Sequence, residues 1–305
     1  MKEPFGMLRP AICLFACAWP LLASAAPPTI SNLSVRGLQV GGTTRVVLSG
    51  SNLSPAPRVA IGVPIASQSV VGKPAANSVT LDVTLDADVD PGVYHLRVLS
   101  SQGVSTPQVI TIDHLPQRAL STTARVEALP VAVHGRLASS QVAVVQFPGR
   151  SGQAVSIDLM ARRLGSTLRP GLHLHGPDGR RLKLGMPRLD LAGDARITFT
   201  VPGDGLYTLK WHDLQYAAGN PGDYRVSIGS FESADLVFPA AVTRGREHQV
   251  LLLGTGGRES TVGINVPATA SGMVPVAWGA STFPLGLRSR VEVSRWPEVV
   301  ETDSS

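Results

Sequence analysis

Cysteine is almost missing from this chain: there are two, Cys13 and Cys17. Both lie in an N-terminal segment that reads as an export signal. Lys2 and Arg9 give it a basic start, an apolar run from Ala11 to Leu22 follows, and Ala23-Ser24-Ala25 offers small residues for cleavage after Ala25. The processed protein would then have no thiol, which excludes disulfides and thiolate chemistry. Long apolar runs are missing too. Ala11 to Leu22 is shorter than the roughly 20 residues a transmembrane helix needs, so no membrane span is expected after cleavage. Leu14-Phe15-Ala16-Cys17 does end in a cysteine that a lipid could modify, but Phe15 suits a lipid-attachment site poorly and Ala23-Ser24-Ala25 is the better cleavage site. The expected location is the periplasm or the exterior of the cell.

Charged residues amount to 16% and aromatics to 5%, with a net charge of +5. The basic residues are scattered and form no run interleaved with aromatics, so no nucleic-acid surface is expected. Catalytic signatures are also lacking. No Gly-x-Ser-x-Gly elbow, His-Glu-x-x-His pair or phosphate-cradling loop is present. The expectation is a protein that is not an enzyme and has no catalytic, cofactor-binding or metal-binding residues and no cofactor.

Helical periodicity is nearly absent, and strand-like alternation takes its place. With 31 glycines and 24 prolines, short strands joined by turns are expected. A first block, 27–113, contains Val79 to Leu85 and Val93 to Leu99, each apolar at every second residue, separated by Asp90-Pro91-Gly92. A linker is expected over 114–128, where Pro116 and a Ser/Thr cluster interrupt the alternation. A second block, 129–230, holds seven further strand candidates, among them Ala154 to Leu159, Leu206 to Trp211 and Tyr224 to Ile228. The third block, 235–297, repeats the first: Gly41 and Gly50 enclose eight residues, as do Gly245 and Gly254, and Asp113-His114-Leu115-Pro116 corresponds to Ser294-Arg295-Trp296-Pro297. The second copy is the shorter one. Duplicated modules in a row follow from this, with a tail at 298–305 where a further module's linker could begin. The fold class expected is all-β, an immunoglobulin-like sandwich followed by a jelly-roll-like β-sandwich and a shortened third β module.

Residues Pro28-Thr29-Ile30, Gly41-Gly42-Thr43-Thr44, Leu48 to Leu53 and Pro91-Gly92-Val93-Tyr94 make the first block resemble an IPT/TIG domain. In the second, His134 to Leu137, Phe147, Gly152-Gln153, Leu164 to Ser166, Leu172 to Gly179, Phe199, Pro202 to Leu209 and Asp223 to Val226 resemble the bacterial pre-peptidase C-terminal domain, a sandwich appended to many secreted enzymes. The third block resembles the first family in shortened form. Some members of the pre-peptidase family bind calcium through acidic residues between their first two strands. The corresponding stretch here, Ser139 to Ala143, has no acid.

Three groups could carry chemistry. His173 and His175 share one strand face opposite Leu172 and Leu174, but lack a nearby third ligand, so two solvated histidines are expected. Asp86, Asp88 and Asp90 precede Pro91-Gly92 with spacing unlike a calcium loop, so a polar turn is expected. Trp211, Tyr216 and Tyr224 could form a sugar platform. Trp211 alternates with Tyr207 and Leu209 as core, leaving Tyr216 as the binding candidate. The resulting reading is a non-catalytic binding or scaffold protein whose partner is a polysaccharide or a cell-surface protein. The alternative is an accessory fragment of a larger secreted hydrolase, such as a peptidase, with its catalytic domain elsewhere. Oligomeric state is not legible in the sequence.

Overall fold

The computed structural model describes residues 26–120, 123–217, 222–231, 234–254, 258–276 and 289–299. The export signal with Cys13 and Cys17, and most of the tail, lie outside the described residues. No helix among those described is long and apolar enough to cross a membrane. The architecture is all-β, built of facing pairs of sheets.

The first block contains β1 (Thr29–Leu33), β2 (Gly37–Gln39), β3 (Thr43–Ser51), β4 (Arg58–Ala60), β5 (Ile65–Val71), β6 (Ser78–Leu85), β7 (Gly92–Ser100), β8 (Gly103–Val104) and β9 (Gln108–Asp113). One sheet runs β1-β3-β6-β5 and the other β2-β9-β7-β4, with β8 on β7. Strand β6 shows why they close on each other. Val79, Leu81, Val83 and Leu85 are buried, while the residues between them are half-buried. One face therefore leaves water at every second residue, and Leu48, Leu96, Val98, Ile110 and Ile112 meet it in a single core.

The second block contains β10 (Gln117–Ala119), β11 (Thr123–Arg125), β12 (Val131–Arg136), β13 (Val142–Gly149), β14 (Ala154–Met160), β15 (Pro170–His175), β16 (Arg181–Gly185), β17 (Ala195–Thr200), β18 (Gly205–Asp213) and β19 (Asp223–Gly229). Its sheets run β10-β12-β19-β14-β17 and β11-β13-β18-β15-β16. Phe147, Tyr207, Trp211 and Tyr224 fill the core between them. Residues 114–128, expected to be a linker, supply β10 and β11, which pair in parallel with β12 and β13. The second sandwich therefore begins where the first ends.

The third block contains β20 (Ala234–Phe238), β21 (Ala241–Thr243), β22 (Arg246–Gly254), β23 (Arg258–Val266), β24 (Gly272–Val276) and β25 (Ser289–Ser294). Its sheets, β20-β22-β23 and β21-β25-β24, follow the order of β1-β3-β6 and β2-β9-β7. The correspondence reaches single residues. Ile30 pairs with Gly50 and Ala234 with Gly254, each beside a register shift. A Cβ on Gly50 would lie 1.8 Å from the Thr29 carbonyl oxygen, which explains why glycine stands opposite the bulge. Gly41 and Gly245 both take positive φ, 65° and 73°, turning the chain into β3 and β22. Among the described residues, Val242, Val250, Leu252, Val266, Val276 and Val291 form its buried core.

Candidate functional site

A cluster of buried charge lies between the first and second blocks. Strand β19 alternates Tyr224, Val226 and Ile228 into its own core with Asp223, Arg225 and Ser227 on the other face. That outer face would ordinarily meet water, yet all seven residues of the strand are buried, because the first block covers it. Arg36 pairs with Asp223, and Asp113 pairs with Arg225. Each block thus contributes one arginine and one aspartate. Arg136 adds a second cation to Asp223 at 2.9 Å and donates to the Ser31 carbonyl across the junction at 2.9 Å.

A hydrogen-bond relay runs beside these pairs. The Arg36 main-chain N–H donates to His134 Nδ1 at 2.9 Å, which leaves the ring proton on Nε2. Nε2 donates to Gln117 Oε1 at 2.7 Å, and Gln117 Nε2 donates to Asp113 Oδ1 at 3.0 Å. Burial, followed by the charges of Arg225 and Arg36, holds the His134 pKa well below its ordinary value. Gly37 makes room for the relay: a Cβ there would lie 2.5 Å from Gln117 Oε1. Leu115 is 0% exposed at the same junction. These groups orient one sandwich against the other through the bonds they make to one another, while the Nε atoms of Arg36 and Arg225 are buried without a partner among the described residues.

A second charged cluster caps a 3-10 turn (Arg162–Leu164) in the second block. Asp194 accepts from the main chain of Ala161 and Arg162 at 2.9 and 2.7 Å and from Arg163 Nε at 2.7 Å. Asp158 sits between Arg163 and Arg196, each at 3.1 Å. Burial works to raise the Asp158 pKa, but the two guanidinium groups outweigh it and the net direction is down. The cluster serves the turn and the sheet.

The histidine pair is rearranged relative to expectation. His173 Nε2 lies 3.1 Å from His212 Nε2, with the ring centroids 5.2 Å apart. His212 Nδ1–H donates to the Asp213 carbonyl at 2.9 Å, so its Nε2 accepts the proton of His173. The partner of His173 is therefore His212, three strands on along the chain but on the neighbouring strand of the sheet, since β15 pairs with β18. His175 does not join them. Its Nδ1 is buried with no hydrogen-bond partner among the described residues. The solvated pair expected from spacing is corrected accordingly: both histidines are half-buried, and His173 lies against His212 of the neighbouring strand. Burial first, then His212, Arg181, His175 and Lys210, lowers the His173 pKa. No group of three or more metal-ligating side chains occurs among the described residues.

Tyr216 stacks on the far side of His212, 4.5 Å between centroids and 10° between planes, and remains 53% exposed. It takes a positive φ of 51°, a conformation uncommon for an aromatic residue. Trp211 and Tyr224 are buried edge to face, 5.1 Å apart, and present nothing to solvent. Asp86, Asp88 and Asp90 are exposed around the turn between β6 and β7. There the Asp86 carbonyl accepts from Gly41 N at 3.2 Å and the Asp90 carbonyl from the Tyr94 hydroxyl at 2.7 Å.

The last feature lies at the end of the third block. Ala241, Arg244, Glu292, Arg295, Trp296 and Glu298 contribute to an open depression of about 430 Å³. Trp296 is 66% exposed, but its backbone is pinned. Its N–H donates to Ser294 Oγ at 3.0 Å, its carbonyl accepts from Thr243 Oγ1 at 3.3 Å, and Glu298 N donates to Thr243 Oγ1 at 3.0 Å. The Arg295 guanidinium lies over the indole at 5.2 Å.

The sequence matches no protein-family model and no curated protein. Among solved structures, the chain is similar to a periplasmic inhibitor of g-type lysozyme, PliG, from Aeromonas hydrophila, at 11% identity and a TM-score of 0.27 over 37% of this chain and 97% of that one. It is also similar to SGBP-B of a mixed-linkage glucan utilization locus of Bacteroides ovatus, at 11% identity and 0.25 over 66% and 74%. The adhesin InvE of Yersinia pseudotuberculosis gives 11% identity and 0.21 over 83% and 65%. Values of this size transfer no residue role, ligand or partner.

Proposed function

We propose that this chain is an exported, non-catalytic scaffold and binding protein of the periplasm or cell exterior. In this reading the first block is an IPT/TIG-like module, the second a pre-peptidase C-terminal-like sandwich and the third a shortened copy of the first. The observation that carries the scaffold reading is the crossed pairing of Arg36 with Asp223 and Asp113 with Arg225. Two buried ion pairs with opposite polarity define an orientation, whereas a polar linker would leave the modules free to swing. Such a unit spaces whatever its two ends hold. The partner is a polysaccharide or a cell-surface protein, and Tyr216, exposed and backed by His212, is the binding surface assigned to the second block.

Spin labels on exposed positions of the first and second blocks test this reading. The wild-type chain is expected to give one narrow distance distribution. Asp113→Ala, which strands Arg225 without its counter-charge, is expected to broaden it and to lower stability by about 3–5 kcal/mol, the range for a broken buried pair. A broad distribution in the wild type would end the scaffold reading. Glycan-array binding that disappears in Tyr216→Ala would support the assigned surface.

A further inference from the structure

The repeat between the first and third blocks extends to the face by which the first block holds the second. In the first, Val40 N donates to the Asp113 carbonyl at 2.8 Å, and in the third Arg244 N donates to the Ser294 carbonyl at 3.0 Å. Leu115 N donates to Asp113 Oδ1 at 3.0 Å, and Trp296 N to Ser294 Oγ at 3.0 Å. A further bond ties the preceding strand to each closing segment, one residue further on in the third block: Gln39 Nε2 donates to the His114 carbonyl and Thr243 Oγ1 to that of Trp296, both at 3.3 Å. Trp296 is therefore the counterpart of Leu115, built on the same backbone frame. Leu115 is 0% exposed and Trp296 66%. Likewise Arg36 is buried in the junction while its counterpart Ala240 is exposed. At Trp296 and Ala240, the face that the first block uses to receive a sandwich is exposed in the third.

We propose that this face is an interface between two copies of the chain, joined about a two-fold axis with the Trp296 side chains at its centre. The choice of occupant rests on charge and shape. The depression carries two cations, Arg244 and Arg295, and two anions, Glu292 and Glu298, so it is close to neutral and carries both signs on one patch. A two-fold axis sets each patch against itself, and a patch of this kind answers its own copy, cation facing anion. An exposed tryptophan, its backbone held by two hydrogen bonds and ringed by charge, has the anatomy of an interface centre with a polar rim. The side chains that fill the first block's junction, Arg36 and Asp113, are replaced by Ala240 and Ser294. The second block's docking edge therefore finds no matching charges here.

Sedimentation velocity on the full chain across rising concentration reads the outcome. The wild type is expected to form a dimer that weakens as salt is added. Trp296→Ala is expected to raise the dimer dissociation constant by about thirtyfold or more, the scale of losing a central aromatic anchor. Two charge variants give a second reading that does not depend on the tryptophan. Glu292→Arg with Glu298→Arg makes the face wholly basic, and Arg244→Glu with Arg295→Glu makes it wholly acidic. Each is expected to be monomeric alone, and the two mixed are expected to form a heterodimer. A wild type that stays monomeric throughout overturns the proposal, as does a dimer indifferent to Trp296→Ala or to the charge variants. Trp296-dependent binding of oligosaccharides by a chain that remains monomeric would also overturn it, and would identify the depression as a sugar site.

Discussion

His134 is a residue whose role is set by another module. Its ring accepts from Arg36 and donates to Gln117, with two arginines nearby. Because its folded pKa lies well below 6.5 while the unfolded chain keeps roughly that value, acid favours the unfolded state. Stability from this residue is complete above about pH 6.5 and is lost as pH falls below it, by up to about 1.4 kcal/mol per pH unit. His134→Gln, a neutral side chain with one acceptor and one donor group, is expected to flatten the part of the profile between about pH 6.5 and 5. Urea unfolding at successive pH values checks this, and an unchanged slope would show that another group governs it. The role could not be read from sequence. His134 sits in an alternating strand, where its position predicts either core or solvent but not a contact with Arg36, 98 residues away.

At the scale of elements, alternation was a good guide to strand and face and a poor guide to what covers the second face. In β6 it predicted both the strand and its buried residues. In β19 it marked the strand, but not that Asp223, Arg225 and Ser227 on one face would be as buried as Tyr224, Val226 and Ile228 on the other. Nothing local in a strand distinguishes a charge that meets water from one that meets the opposite charge of a neighbouring domain. Residues 114–128 were missed for a related reason: β10 and β11 are three residues each, too short for alternation to show. The paired glycines, by contrast, reported real backbone demands. Gly50→Ala places a methyl group against the Thr29 main chain, which cannot turn aside as a side chain would. That substitution is expected to release β1, so hydrogen-exchange protection should fall over Thr29–Leu33 while β3 and β6 remain protected. Retained protection in β1 would show that the bulge can relax around a Cβ.

For the whole molecule, core size and junction chemistry predict the order of unfolding. Among the described residues, the third block buries six aliphatic side chains in its core, fewer than either of the others, and the first two blocks share buried charges. Scanning calorimetry is expected to show a lower transition for the third block and a single upper transition for the first and second together. Three separate transitions would show that the junction does not couple them. The crossed pairs have one more consequence, for how such a chain can change over generations. A loop between modules tolerates any neighbour, so modules joined by loops can be exchanged freely. Here Arg36 and Asp113 accept only a neighbour that offers an aspartate and an arginine at the places of Asp223 and Arg225. A foreign module spliced in at that point would bury two charges with nothing to meet them. The first two modules are therefore expected to be inherited as a pair, with recombination at their boundary disfavoured although each has a core of its own.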